Sequence, residues 1–305
     1  MRIVFMGTPD IAAESLRALI AAGHEVCGVF TREDKPVGRK QILTAPPVKQ
    51  VALEHGIPVY QPKTLRDGSA DEILAELAPE LIVVVAYGRI LPVSVLQLPK
   101  YGCINLHVSL LPKYRGSAPV QWSVINGDTE TGVTIMQLDE GVDTGDILCV
   151  APVKIGENET AGELFERISA LGAQTLCDTV VAIEKGEVTP VPQDHTKATH
   201  APQLTKEMGY FDFHEDAAVL HNLIRGLNPW PVASFLCGEK RVKVLRSTLR
   251  QESGIPGTIL SLKPLVIACE NGSLCLEEVV PEGSRSMSGE VWAMGRRFSV
   301  GDRIE

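Results

Sequence analysis

Apolar and polar residues follow two rhythms along this chain. In the first two thirds, short apolar runs alternate with stretches whose apolar positions recur about every 3.6 residues. Arg2–Met6, Glu25–Phe30, Pro58–Tyr60 and Leu81–Val85 read as strands, and the segments ending at Ala22, at Pro47–His55 and at Asp71–Leu77 as helices. Thr8 suits the N-cap of the first helix and Pro9 its first position. Thr31–Leu43 reads as a polar loop. Strands over Gly102–Val108, Val133–Leu138 and Asp146–Val153, and helices over Val120–Asn126 and Ala161–Glu184, continue the pattern. Strand–helix alternation predicts an α/β domain over 1–189 with a mostly parallel, buried sheet.

Three prolines and weak periodicity mark a linker over 190–204. In 205–305 the rhythm shortens. A helix at Ala217–Gly226 precedes strands at Ala233–Leu236, Lys240–Arg246, Gly257–Leu260, Leu265–Ala268 and Ser273–Val279, and a helical segment lies near Ser288–Met294. This pattern predicts a small β-barrel or sandwich.

The length of 305 residues agrees with two domains. The longest wholly apolar run, Leu81–Tyr87, is far below the roughly 20 residues a bilayer requires. Met1 leads directly into a strand, so no secretory signal is expected. The expectation is a cytoplasmic protein without a membrane partner. Seven cysteines with no C-x-x-C pair read as thiols in a reducing compartment, not disulfides or a zinc site, so no metal is expected. The net charge of −9 argues against general nucleic-acid coating. Residues 205–305 are nearly balanced, however, with 12 Lys and Arg against 13 Asp and Glu.

The first turn, Gly7-Thr8-Pro9-Asp10-Ile11-Ala12, has one glycine where a dinucleotide fingerprint needs three. A plain helix start explains it better. Asn105 and His107 stand two apart on one strand, hence on one face, near the end where α/β sheets place their sites. Polar side chains there are costly unless satisfied or functional. Four acids and two glycines in Asp139–Asp146 read as a solvated turn, from which an Asp is able to orient the imidazole. Amide, imidazole and carboxylate together suit acyl or formyl transfer to an amine. Cys103 shares the strand face, which leaves a thiol route open beside the reading of inert packing. His195 and His200 lack a second ligand pair for a metal. Lys240, Arg241, Lys243, Arg246 and Arg250 lie in a stretch without acids. Lys240 and Arg246 are expected on one strand face, as a phosphate patch or a solvated edge.

Asn105-x-His107, Ser109-Leu110-Leu111-Pro112-x-Tyr114-x-Gly116-x-x-Pro119 and Asp143-x-Gly145 resemble the signature of the folate-dependent formyltransferase family. Gly7-Thr8-Pro9, Lys35-Pro36-x-Gly38-Arg39, Ala86-Tyr87-Gly88-x-Ile90-Leu91-Pro92 and Asn228-Pro229-Trp230-Pro231 are similar to the branch that acts on methionyl-tRNA. The resemblance implies a Rossmann-like N-terminal domain and an OB-like C-terminal barrel that holds tRNA. It implies 10-formyltetrahydrofolate as donor and initiator methionyl-tRNA as acceptor. Asn105, His107 and Asp143 would be catalytic. Ser109, Leu110, Leu111, Pro112, Ile90 and Leu91 would contact the folate, and Arg39, Lys40, Lys240 and Arg246 the tRNA. A monomer is expected. Lys40 stands where the family more often has Gly, and Glu282–Met287 is less basic than its counterpart.

Competing readings are a formyltransferase acting on an amino sugar nucleotide and a non-catalytic tRNA- or folate-binding protein. A glycinamide ribonucleotide formyltransferase needs only the first domain. A folate-linked hydrolase would replace the amine with water.

Overall fold

The computed structural model describes residues 1–38 and 40–304. They fall into two compact units. The first comprises Met1–Gly116, Gly132–Val153 and Arg167–His200; the second comprises Ser117–Thr131, Lys154–Glu166 and the chain from Ala201 onward. Of the expected linker, residues 190–200 belong to the first unit, where Val191 and Ile147 exchange backbone hydrogen bonds, and 201–204 to the second.

In chain order the elements are β1 (Arg2–Gly7), α1 (Asp10–Ala21), β2 (Glu25–Phe30), β3 (Lys35–Val37), β4 (Ile42–Thr44), α2 (Pro47–Glu54), β5 (Val59–Tyr60), α3 (Ser69–Leu77), β6 (Leu81–Val85), α4 (Val93–Leu96), β7 (Cys103–His107) and β8 (Arg115–Gly116). There follow α5 (Pro119–Ile125), β9 (Glu130–Gln137), β10 (Ile147–Lys154), α6 (Ala161–Lys185) and β11 (His200–Ala201). Seven strands form one sheet in the order β10-β9-β7-β6-β1-β2-β5. The pairs from β5 through β7 are parallel, and β9 runs antiparallel to β7. All five residues of β6 are buried, as a strand covered on both faces requires. Val4, Met6, Ile82, Val84 and Cys103 share one core cluster with Leu74, Tyr87, Leu91 and Val95. On the opposite face α6 approaches closely at Gly172, where a Cβ would lie 3.0 Å from Leu106.

Two local expectations change. Helix α1 starts at Asp10, and Thr8 does not cap it. The Thr8 hydroxyl donates instead to the Tyr87 carbonyl at 3.3 Å. The expected loop at 31–43 contains a hairpin, β3 against β4, with Val37 opposite Ile42. Every residue of both strands is exposed, so no inward face imposes the alternation that marks a half-buried strand.

The second unit contains α7 (Ala217–Gly226), β12 (Ser234–Cys237), β13 (Lys240–Arg250), β14 (Ile259–Leu262), β15 (Leu265–Ala268), β16 (Ser273–Pro281), β17 (Met287–Ser288) and α8 (Gly289–Arg296). Its antiparallel sheet runs β12-β13-β16-β15-β14, with β17 beside β16. The expected barrel is not closed. Among the described residues β12 and β14 do not pair, because other segments occupy those edges. Ile259 N–H donates to Asp302 and Ile304 N–H to Gly257, while Phe211 N–H donates to Ser234. Covered edges satisfy the same backbone groups that closure would. Phe211, Phe213, Phe235 and Trp292 meet ring to ring in the core.

Helix α6 begins with a reciprocal cap. The Thr160 hydroxyl accepts the Glu163 N–H at 3.2 Å, and Glu163 Oε2 accepts the Thr160 N–H at 2.9 Å. Glu163 Oε1 pairs with Arg246. The Thr160 N–H, followed by the Arg246 guanidinium, holds the Glu163 carboxyl down at about 2. A depressed carboxyl stabilises the folded state fully above its ordinary value near 4.5, and that stability is lost as pH falls toward about 2. Thr160→Ala is expected to cost about 1 kcal/mol at neutral pH, the usual worth of such a cap. The difference in unfolding midpoint between the native chain and Glu163→Gln should shrink between pH 4.5 and pH 2. A difference that stays constant over that range would show that the carboxylate charge contributes nothing.

Candidate active site

Strand β7 carries Asn105 and His107 on the face it shares with Cys103, and the sheet hands each a different neighbour. Asn105 is half-buried between Val84 and Met136, and its amide makes no side-chain hydrogen bond among the described residues. His107 is buried opposite Thr134. Thr134 fixes the loop that follows: its hydroxyl donates to the Ser109 carbonyl at 2.7 Å and accepts the Leu111 N–H at 3.2 Å. The Ser109 hydroxyl donates to the Lys113 carbonyl at 2.7 Å, so this side chain shapes its own loop. The Leu111–Pro112 peptide is cis. The Tyr114 N–H donates to Thr199 Oγ1 at 2.9 Å.

The loop thereby returns the Tyr114 carbonyl to His107, 2.9 Å from Nε2. A carbonyl only accepts, so Nε2 carries a proton. Nδ1 is then the nitrogen with a free lone pair, and it lies 3.6 Å from Asp143 Oδ2. The same Oδ2 accepts the Gly116 N–H at 2.8 Å. Asp143 sits at φ 53°, and Gly145 presses so closely on β9 that a Cβ would fall 1.9 Å from the Gln137 carbonyl oxygen. Of the four acids in this loop, Asp139 builds the turn, accepting the Gly141 N–H and the Thr144 hydroxyl, while Asp143 faces the imidazole.

The remaining sequence candidates are dispersed. Leu91 is buried in the core beneath β6 and β7, and Ile90 beside it is 59% exposed. Leu111 is buried, and Leu110 packs against Gly132. Cys103 is 1% exposed, and its thiol lies 3.6 Å from the Val95 carbonyl. Burial pushes that thiol up to about 12, which removes the thiol route. Arg39 lies outside the described residues; Lys40 is exposed. Lys240 and Arg246 do not share a strand face. The β13 register shifts between Val244 and Ser247, which turns Arg246 outward, while Lys240 stands opposite the buried Cys237 at the strand end. Arg246 is also paired with Glu163.

Thr134, Arg115 and Gln193 were not among the expected site residues. Thr134 interrupts an apolar strand with a hydroxyl, which is the one signal that marked it. Gln193 lay in the expected linker, with nothing local to distinguish it. His195 Nδ1 stands 3.0 Å from the Arg115 guanidinium, a donor only, so its lone pair is engaged there. Among the described residues no group of three or more His, Cys, Asp or Glu is placed to hold a metal ion. No described helix is long and apolar enough to cross a membrane.

Residues 1–180 match the Formyl transferase family model, and residues 203–297 match that of the Formyl transferase C-terminal domain. A methionyl-tRNA formyltransferase of Alkaliphilus oremlandii is 45% identical over 306 residues, covering 99% of each chain. One of Geobacter metallireducens is 44% identical over 306 residues, covering 100% of this chain and 98% of the relative. The chain belongs to the methionyl-tRNA formyltransferase family. Solved structures share the fold. The N-formyltransferase of Helicobacter canadensis, crystallised with folinic acid and dTDP-3-aminofucose, superposes with a TM-score of 0.68 at 20% identity, over 93% of this chain and 99% of that one. HypX of Aquifex aeolicus, crystallised with tetrahydrofolic acid, gives 0.65 at 17% identity, over 98% of this chain and 48% of that one.

For a formyltransferase of this family, Cys103→Ala is expected to leave kcat within about threefold, since an inert buried thiol takes no part in the chemistry. A loss on the order of a thousandfold, with the fold intact by circular dichroism, would restore a covalent route.

Proposed function

We propose that this chain transfers the formyl group of 10-formyltetrahydrofolate to the α-amino group of methionine on initiator tRNA, in the cytoplasm and as a monomer, in support of translation initiation. One observation carries the chemistry: His107 Nδ1 faces Asp143 Oδ2, with the unengaged Asn105 amide on the same strand face. The names of the full-length relatives support the acceptor.

When bound, the folate supplies a formyl carbonyl attached to nitrogen. The exposed Ile90, the adjoining Leu91 and the loop Ser109–Pro112 are assigned to hold it; Arg32 braces the preceding turn by donating to the Gly88 carbonyl at 2.7 Å. Asn105 donates its amide N–H to the carbonyl oxygen as the amine attacks and negative charge develops there. His107 Nδ1 takes the proton lost by the attacking amine, and Asp143 stabilises the resulting imidazolium. The same proton passes to the departing folate nitrogen as its bond to the formyl carbon breaks. The products are formylmethionyl-tRNA and tetrahydrofolate.

Lys40, Lys240 and the exposed Lys243 offer charge to tRNA phosphates, together with Arg39. Arg246 contributes less, because Glu163 neutralises it and Glu278 lies opposite on β16. Lys240→Ala is expected to flatten the salt dependence of tRNA binding by about one unit of log–log slope, whereas Arg246→Ala leaves it unchanged. Equal slopes for Lys240→Ala and the native chain would remove Lys240 from the interface.

The decisive assay compares Met-charged initiator tRNA, Met-charged elongator tRNA and an amino sugar nucleotide as formyl acceptors. Transfer to the initiator alone is expected; transfer to the sugar nucleotide alone would overturn the acceptor and keep the site. His107→Ala should lower kcat roughly 10²–10⁴-fold, and Asn105→Ala on the order of 10²–10³-fold. Full activity in both variants would reduce the site to binding.

A further inference from the structure

Gln193 is 6% exposed and uses both ends of its amide. Its Nε2 donates to the Gly145 carbonyl at 2.7 Å and to the Asp143 carbonyl at 3.0 Å. Its Oε1 accepts from Arg115, from Nη2 at 2.7 Å and from Nε at 3.2 Å. Arg115 is equally buried, and its Nη2 also meets His195 Nδ1. The residue after Arg115 is Gly116, whose N–H holds the Asp143 carboxylate. A ring therefore closes: the Arg115 side chain grips Gln193, Gln193 grips the Asp143 and Gly145 backbone, and the Gly116 backbone grips the Asp143 side chain.

The clamp acts on a left-handed backbone. Asp adopts positive φ more readily than most residues with a Cβ, yet at a cost in free energy, and the Gln193 hydrogen bonds to the Asp143 and Gly145 carbonyls offset that cost. The 3.6 Å between Asp143 Oδ2 and His107 Nδ1 lies just beyond a hydrogen bond, so a few tenths of an ångström decide whether one forms. We infer that Gln193, held by Arg115, is a positioning residue for formyl transfer: it fixes the Asp143 backbone and thereby sets the carboxylate against His107. This rests on the proposed role of Asp143. An apolar residue of the same volume would fill the space but would leave two carbonyls without their donor.

The test is a double-mutant cycle between Gln193→Met and Asp143→Asn, read as kcat and KM for formyl transfer. Gln193→Met is expected to lower kcat about 10–100-fold, the range for a displaced catalytic group, with KM for the formyl donor nearly unchanged. In the Asp143→Asn background the same substitution should cost little, because the group it positions is already disabled. Equal losses in both backgrounds, or full activity of Gln193→Met beside an impaired Asp143→Asn, would overturn the positioning role. Full activity of Asp143→Asn alone would instead sink the proposed role of Asp143. If Gln193→Met fails to fold by circular dichroism, Gln193→Glu takes its place. Its carboxylate keeps Arg115 and loses the donor, and the same non-additive loss is expected; additive losses would again overturn the inference.

Discussion

The hydrogen bond from His107 Nε2 to the Tyr114 carbonyl governs what the imidazole can do. By holding the ring proton on Nε2 it leaves the Nδ1 lone pair directed at Asp143. The bond exists because the loop after β7 doubles back, and the loop doubles back because Thr134 satisfies both the Ser109 carbonyl and the Leu111 N–H. A threonine on the neighbouring strand thus sets the tautomer of a histidine it does not touch through its hydroxyl. Position in the sheet supplies the rest, since Asn105 and His107 share a face by strand geometry alone.

Much of this was legible in the residue order. The parallel strands could be read from apolar runs such as Leu81–Val85, and the Asn105–His107 pair from period two. Residue chemistry alone left Asp143 as one of four acids; the resemblance carried by Asp143-x-Gly145 singled it out, and the fold places it beside His107. Gln193 was illegible because its partners lie some fifty and eighty residues away. The exposed hairpin β3–β4 hid for the opposite reason, having no buried face to impose a pattern. The phase of β13 misled because a register shift is not written in the alternation of Lys240 and Arg246.

Charge in the second unit shows why composition is a weak guide to binding. Five basic residues in β13 look like a cationic stripe, yet Arg246 is matched to Glu163, and Arg241 lies over the Tyr210 ring and donates to Ser234. Exposed pairs of this kind contribute modestly to stability. Their effect on a polyanion is larger, because each neutralised cation is one fewer to displace condensed counterions.

The division into compact units is interleaved along the chain, and this bears on how the protein is made. Trp122 and Ile125 of α5 pack against the core of the second unit, and a Cβ at Gly226 would lie 2.5 Å from Ile125. Helix α5 leaves the ribosome long before α7, its packing partner, has been synthesised. The first unit is complete in sequence by His200, but α5 lacks α7 to pack against during that interval, so the second unit cannot form until the chain beyond residue 201 has been made. The two family regions are consequently poor candidates for exchange as cassettes. A segment cut at residue 205 would carry the antiparallel sheet and abandon the helix that covers α7.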